Sequence, residues 1–254
     1  PTVDLVTGFP IPIPLREETG FQIDLDALRK TISNKTRAII LNTPSNPTGT
    51  VMSKKVLEEL ADIAREHNLV VMADEAYEKL VYEDAKHVSF ASLNGMHEHT
   101  LTFQTFSKSY AMAGFRLGYA AGHSTVIEKM SRIHIYTSLA ATTVSQLAGL
   151  KALSMGDAPC ARMRVEYNKR RKLVLKRIAE WDELHVQVPP AGAFYAFPRL
   201  KGVAARKNSR DFAHWLLREA RVLVVPGNEF GSMGEGFIRL SYATKYELIE
   251  QALD

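Results

Sequence analysis

Three short stretches carry residue types that could do chemistry together. In Thr105-Phe106-Ser107-Lys108 a lysine closes a hydroxyl-bearing run, and eight residues on comes Arg116, set in Gly114-Phe115-Arg116-Leu117-Gly118. A guanidinium offers paired donors to a phosphate, and Ser or Thr hydroxyls can complete the shell. A partly desolvated lysine with a lowered pKa can attack a carbonyl. Alone, these residues also read as a solvated lysine and a structural arginine. Asp74 directly follows the apolar run 69–73, which places its carboxylate at the C-terminal end of a buried parallel strand, where open α/β sheets bind ligands. A carboxylate buried there stays ionised only beside a positive charge or several donors, and a protonated pyridine nitrogen would supply the charge. A cap for the following turn is the competing reading. Ser45-Asn46-Pro47-Thr48-Gly49 combines a rigid Pro, a permissive Gly and an amide that both donates and accepts, although the same pairs mark plain turns.

Behind these stretches the hydrophobic pattern alternates between strand and helix periods, as in an α/β sheet with crossover helices. Strands are expected at 37–41, 69–73, 100–103 and 116–121, with the segment around Lys108 as a loop. Asp24 and Ser53 are candidate N-caps for the helices that start at Leu25 and just after Ser53, the second fraying at His67-Asn68. Helical periods then run over 124–155 and 157–182, the latter opening with Asp157 as a candidate cap. After Pro189-Pro190 come a strand at 193–197, a helix at 211–220, strands at 221–225 and 237–240, and a last helix from about 245. The division implied is residues 1–155 as one α/β unit, and 156–254 as a linking helix with a smaller C-terminal α/β domain.

Composition narrows the classes. With 254 residues, 46% of them hydrophobic, the chain can bury a sizeable core. Its net charge of +4 is dispersed, and Lys169-Arg170-Arg171-Lys172 reads as the solvated face of a helix rather than a nucleic-acid site. The single cysteine, Cys160, reads as an inert helical thiol and suits a reducing compartment, so a cytoplasmic location is expected. No apolar run approaches the length that crosses a bilayer, and no secretory pattern opens the chain, so no membrane partner is expected. His97 and His99 flank Glu98 in what reads as a solvated loop, and no metal site is assigned.

Taken in order, Ser45-Asn46-Pro47-Thr48-Gly49, Asp74-Glu75-Ala76-Tyr77, Ser107-Lys108, Gly114-Phe115-Arg116-Leu117-Gly118-Tyr119 and Arg239 resemble the class I/II aminotransferases of pyridoxal-phosphate-dependent fold type I. The likeness in order and spacing runs from about Val6 to the C-terminus. It implies an α/β fold: a large domain with a mostly parallel sheet over 1–155 and a small C-terminal α/β domain over 156–254. It also implies that Lys108 holds pyridoxal 5'-phosphate as a Schiff base and later moves the proton at the substrate α-carbon. Asp74 would pair with the pyridine nitrogen, and Asn46 and Tyr77 with the ring oxygen at the 3' position. Thr105, Ser107 and Arg116 would hold the phosphate. Arg239 would grip the substrate carboxylate, and Asn46 would also contact substrate. The implied catalytic set is Lys108, Asp74 and Tyr77, and the implied reaction passes an amino group between an aromatic or acidic amino acid and a 2-oxo acid. A homodimer is implied by the same likeness. Other members of the fold carry out β-elimination, or serve as non-catalytic regulatory domains, and both remain as alternatives.

The sequence departs from the family pattern twice. Thr105 stands where Ser or Gly is usual, and the chain opens at Pro1 in mid-domain. A full-size enzyme of this kind would need about a hundred more residues, which carry a second phosphate-binding loop and a ring-stacking aromatic side chain. The expectation for the isolated chain is therefore an exposed sheet edge, weak cofactor binding and little turnover.

Overall fold

The computed structural model describes residues 2–254. One turn of helix, α1 (Thr2–Leu5), precedes α2 (Leu25–Thr31), β1 (Ala38–Asn42), α3 (Lys54–Glu66), β2 (Val70–Asp74), β3 (Thr100–Thr105), α4 (Phe106–Ser109) and β4 (Gly118–Ala121). Three helices follow, α5 (Ser124–Thr137), α6 (Thr143–Ser154) and α7 (Ala158–Ile178). The remainder is β5 (Leu184–His185), β6 (Tyr195–Ala196), β7 (Arg199–Leu200), α8 (Ser209–Glu219), β8 (Val225–Pro226), β9 (Ile238–Ser241) and α9 (Tyr246–Leu253).

The first half is built on a four-stranded sheet in the order β1-β2-β3-β4. β1, β2 and β3 run parallel, with Asn42 opposite Asp74 and Asp74 opposite Phe103, whereas β4 returns antiparallel with Gly118 opposite Thr105. Parallel register brings the C-terminal ends of β1, β2 and β3 to one edge, so the loops that follow them share one end of the sheet. The crossover helix α3 forms as its sequence dictates. The Ser53 hydroxyl accepts from the Val56 N–H at 3.3 Å, apolar side chains recur on one face, and Asn68 ends the helix in the left-handed region that asparagine tolerates. That face, with Leu57, Leu60, Ile63 and Ala64, packs with Leu28 of α2 on Ile39, Leu41, Val71 and Ala73, and Phe90 and Met96 close the cluster. On the opposite face of β1, Ile40 is 61% exposed. A parallel strand that reads as a continuous apolar run is expected to be covered on both sides; here one side is covered.

A second core lies between the halves. Val174 and Ile178 of α7, Phe212 of α8, Ile238 of β9 and Ile249 of α9 enclose Phe194 and Tyr195, and Tyr77, Leu80 and Tyr82 from the segment after β2 pack into the same cluster. Arg171 of α7 ties this core together: its Nε donates to the Pro190 carbonyl at 2.6 Å, and its Nη1 reaches Glu83 at 3.1 Å.

Several sequence expectations are corrected. The helical run 124–155 is two helices, parted where residues 138–142 leave the helical path. The segment around Lys108 is one turn of helix, started by the Thr105 hydroxyl accepting from the Ser107 N–H. The strand expected from 116 begins at Gly118, because Arg116 sits at φ 50°, a conformation no strand accepts. The strand expected at 221–225 shrinks to β8, after Arg221 at φ 58°. Asp157 does not cap α7; its carboxylate instead pairs with Arg164 at 2.8 Å. Within the basic run, Arg171 is buried rather than solvated. Among the described residues no helix is long and apolar enough to cross a membrane.

Candidate active site

The ends of β1 and β2 place two of the expected residues side by side. Asn42, the last residue of β1, accepts from the Asn46 N–H at 2.8 Å through Oδ1 and donates through Nδ2 to the Asp74 carbonyl at 3.3 Å. The turn at 45–50 is therefore tied to the end of the neighbouring strand. It also docks across the molecule, because the Gly49 carbonyl accepts from the N–H groups of Ala191 and Gly192 at 2.9 and 2.8 Å. Gly49 is required there: its φ is +69°, and a Cβ would collide with the Pro190 side chain.

That docking brings Asn46 to β9. The Asn46 Oδ1 accepts from Nη1 of Arg239 at 2.7 Å, across most of the sequence. The Arg239 guanidinium lies 4.4 Å from the centre of the Tyr195 ring and 5.0 Å from that of Phe230. Its buried Nε has no partner among the described residues, leaving a donor for an incoming anion. Tyr77, three residues past Asp74, is buried, and its hydroxyl is 2.8 Å from that of Tyr195. Burial, the hydrogen bond to Tyr195 and the Asp74 charge push the Tyr77 phenol above its ordinary range, with Arg239 opposing them. The Lys108 ammonium lies over the same aromatic floor, 5.9 Å from the Tyr77 ring centre and 5.4 Å from that of Phe194. Asn46, Asp74, Tyr77, Lys108 and Arg239, scattered through the sequence, thus converge on one place.

Asp74 departs from expectation in one respect. It is exposed rather than buried, and one carboxylate oxygen accepts from the Ala76 N–H at 3.2 Å, so part of the turn-capping reading holds. The remaining oxygen is open to a cationic partner. The phosphate side is less complete. The Thr105 hydroxyl is spent locally, donating to the Leu117 carbonyl at 3.3 Å while accepting from the Ser107 N–H at 3.1 Å. It has no proton left for a phosphate. The Ser107 hydroxyl makes no hydrogen bond among the described residues. Arg116 is exposed and donates to the Ala113 carbonyl at 2.9 Å, and the antiparallel β3–β4 pairing sets it beside the Thr105 turn.

Sequence reasoning missed Tyr195 and the support under Asp74. Tyr195 lies in an aromatic pair, Phe194-Tyr195, that reads as ordinary core; its alternation within 193–197 gave no signal of a polar partner. The neighbouring Glu75 is buried and accepts from the Phe90 N–H at 2.9 Å, the Ser89 hydroxyl at 3.1 Å and Nε2 of His87 at 3.1 Å. Glu78 lies close enough that Glu75, Glu78 and His87 offer ligand atoms within 4.8 Å of one another, but hydrogen bonds already engage both Glu75 oxygens. Glu98, by contrast, is exposed and pairs with His97 at 3.1 Å and His123 at 3.4 Å. Cys160 is buried, with Sγ 3.0 Å from the Ser109 carbonyl, and burial raises its thiol pKa, as suits an inert group.

Comparison with known proteins identifies the family. The family model described as aminotransferase class I and II matches residues 2–254. An aspartate aminotransferase of Pyrococcus abyssi is 47% identical over 100% of this chain and 65% of its own length. An aromatic-amino-acid aminotransferase of Thermococcus litoralis is 46% identical with the same coverage. The crystal structure of an aromatic aminotransferase from Pyrococcus horikoshii superposes with a TM-score of 0.90 at 47% identity, covering 97% of this chain and 65% of that one. The chain thus spans about two thirds of the length of the relatives it matches.

Proposed function

Because this chain belongs to the class I and II aminotransferase family, we propose that its protein transfers an amino group between an aromatic or acidic amino acid and a 2-oxo acid, using pyridoxal 5'-phosphate. The observation that carries this reading is the convergence of Lys108, Tyr77, Asp74 and the Asn46–Arg239 pair from distant parts of the sequence. The donor set fits the cofactor. An amine is present for its aldehyde, a carboxylate with an open oxygen for its ring nitrogen, a phenol and an amide for its ring oxygen, and hydroxyl and guanidinium groups for its phosphate. Thr105 is the misfit, and we assign the phosphate to Ser107 and Arg116, with Thr105 shaping the turn that presents them.

Once bound, the cofactor supplies an electron sink for the pair released when the α-proton leaves. The chain's own residues do the rest. Arg239 fixes the substrate carboxylate through Nε and Nη2, with Nη1 already anchored on Asn46, so the bond to be broken is held in one orientation. Lys108 would hold the cofactor through Nζ and, as a free amine, would serve on the same atom as the base for the substrate α-proton. Asp74 keeps the ring nitrogen protonated by placing a negative charge beside it. Asn46 and Tyr77 stabilise the ring oxygen in its ionised form.

We further assign residues 1–155 to the cofactor-binding domain and 156–254 to a linking helix and small domain. The presence of two separate apolar clusters, one around β1, β2 and α3 and the other around α7, α8, β9 and α9, supports this division. A homodimer is supported by the exposed apolar side chains of α5 and α6, among them Ile133, Tyr136, Leu147 and Leu150. A cytoplasmic location is supported by the single, buried thiol. The absorbance spectrum with added pyridoxal 5'-phosphate tests the central reading. A visible band should form in the wild type, and Lys108→Ala should abolish it and lower transamination of aspartate or phenylalanine by about 1,000-fold or more. A band that persists unchanged in Lys108→Ala refutes the assignment.

A further inference from the structure

The reading above gives the buried Tyr195 hydroxyl no role. The Tyr195 hydroxyl lies in a core of aromatic rings, 2.8 Å from the Tyr77 hydroxyl. Two phenols at that distance share one hydrogen bond, and either oxygen could donate. A phenol has a single proton. If Tyr77 spends its proton on the ionised ring oxygen of the cofactor, which only accepts, then the bond between the two tyrosines has to run from Tyr195 to Tyr77.

We infer that Tyr195 is a positioning residue: once the cofactor ring oxygen takes the Tyr77 proton, the Tyr195 hydroxyl turns from accepting to donating to the Tyr77 oxygen, aiming the Tyr77 O–H at the cofactor ring oxygen and strengthening it as a donor. The inference rests on the assignment of pyridoxal 5'-phosphate to this site. Three features support it. Tyr77 and Tyr195 meet edge to face, with ring centres 5.7 Å apart, and Phe194 packs against both at 5.4 and 4.8 Å, so neither phenol can swing away. The Arg239 guanidinium lies over the Tyr195 ring, 4.4 Å from its centre, and helps hold that ring in the orientation that keeps its hydroxyl on Tyr77. Hydrogen bonds in a chain polarise one another, so a donor held on the Tyr77 oxygen makes the outgoing Tyr77 bond stronger. The charged and titratable groups around the pair are Asp74 from β2, Lys108 from α4, Tyr167 from α7 and Arg239 from β9. Tyr195 thereby joins the group expected to grip the substrate carboxylate to the group expected to hold the cofactor ring. An arriving carboxylate that neutralises Arg239 would be felt at Tyr77.

A double-mutant cycle on the protein loaded with pyridoxal 5'-phosphate tests this, read by the pH midpoint of the bound cofactor's absorbance change and by its dissociation constant. Tyr195→Phe keeps the ring that supports Arg239 and Phe194 and removes only the hydroxyl, so the fold should persist. It should move the midpoint upward by about 0.3 unit and weaken cofactor binding roughly threefold, since the ring oxygen loses part of its stabilisation. Tyr77→Phe should move the midpoint further in the same direction. On the Tyr77→Phe background, Tyr195→Phe should add nothing, because the relay has lost its target. Equal shifts on both backgrounds, or no shift on the wild-type background, overturn the relay while leaving the cofactor assignment standing. A wild type that develops no cofactor band overturns that assignment, and the relay with it.

Discussion

The two sides of the candidate site are built differently. On the ring side, Tyr77, Phe194 and Tyr195 are buried in the core between the halves, and Arg239 is held by Asn46 and by two aromatic rings. On the phosphate side, Ser107 lies in a single turn of helix, Arg116 is exposed, and Phe115 and Tyr119 around them are 44% and 49% exposed. α5, which follows β4, buries none of its residues. Groups on the ring side are therefore positioned by packing that exists in this chain. Groups on the phosphate side are positioned by local backbone turns, and a bound anion would have to finish ordering them.

Core truncations should separate the two sides most strongly. Leu80 is fully buried beside Tyr77 and Tyr82, whereas Leu147 of α6 is 62% exposed. Leu80→Ala should lower unfolding stability by about 2–5 kcal/mol in urea denaturation, through lost burial and the cavity left behind. Leu147→Ala should change it by no more than about 0.5 kcal/mol. Comparable losses at both positions would mean that α6 is packed in solution against something as firmly as the ring side is packed here.

The two arginines sharpen the contrast at a finer scale. Arg239→Lys keeps a charge but loses the fixed fork that reaches Asn46 and an incoming carboxylate together, so KM for the amino acid should rise roughly 10- to 100-fold. The cofactor dissociation constant should barely change. Arg116→Ala should do the reverse, weakening pyridoxal 5'-phosphate binding roughly tenfold with little effect on KM at saturating cofactor. Its effect on unfolding should be small, since among the described residues the side chain holds only the Ala113 carbonyl. If Arg116→Ala and Arg239→Lys both act on KM alone, the division into ring and phosphate sides is wrong.

What the sequence made legible follows the same line. Strand positions, the caps at Asp24 and Ser53, and the order of the motifs are legible along the chain, and the structure places β1, β2 and β3 within a residue or two of where periodicity puts them. Residues whose roles depend on contact across the chain were harder. Arg171 sits in a basic run that looks solvated, and only the docking of α7 against Glu83 and Pro190 buries it. Tyr195 has no polar neighbour in sequence, and the Tyr77 hydroxyl reaches it from 118 positions away. Asp74 was expected to be buried because its strand is apolar, but the last residue of a parallel strand points out of the sheet's end, where cover comes from other elements. Thr105 shows the converse limit. A hydroxyl in the right place by motif was already committed to starting α4 and to the Leu117 carbonyl.

The smallest expected effect concerns how the ring side is braced from behind. Glu83 is exposed, yet its hydrogen bond to Arg171, followed by that charge and by Lys172, holds its carboxyl below the usual carboxylate range. A carboxylate whose pKa is depressed by folding stabilises the fold above its unfolded pKa, and loses that contribution as pH falls through the folded value. Glu83→Gln should therefore lower Tm slightly at pH 7, and the gap to the wild type should close as the pH is taken below about 4. Arg171 keeps its bonds to the Pro190 carbonyl and to Asn168 in the variant, so the loss at neutral pH should be small. Salt should shrink it further, because the pair faces water on the Glu83 side. A gap that widens on acidification would show that Glu83 opposes the fold and that Arg171 is held by its backbone and amide partners alone. The brace behind Phe194 and Tyr195 would then be a matter of packing and neutral hydrogen bonds, with no electrostatic share.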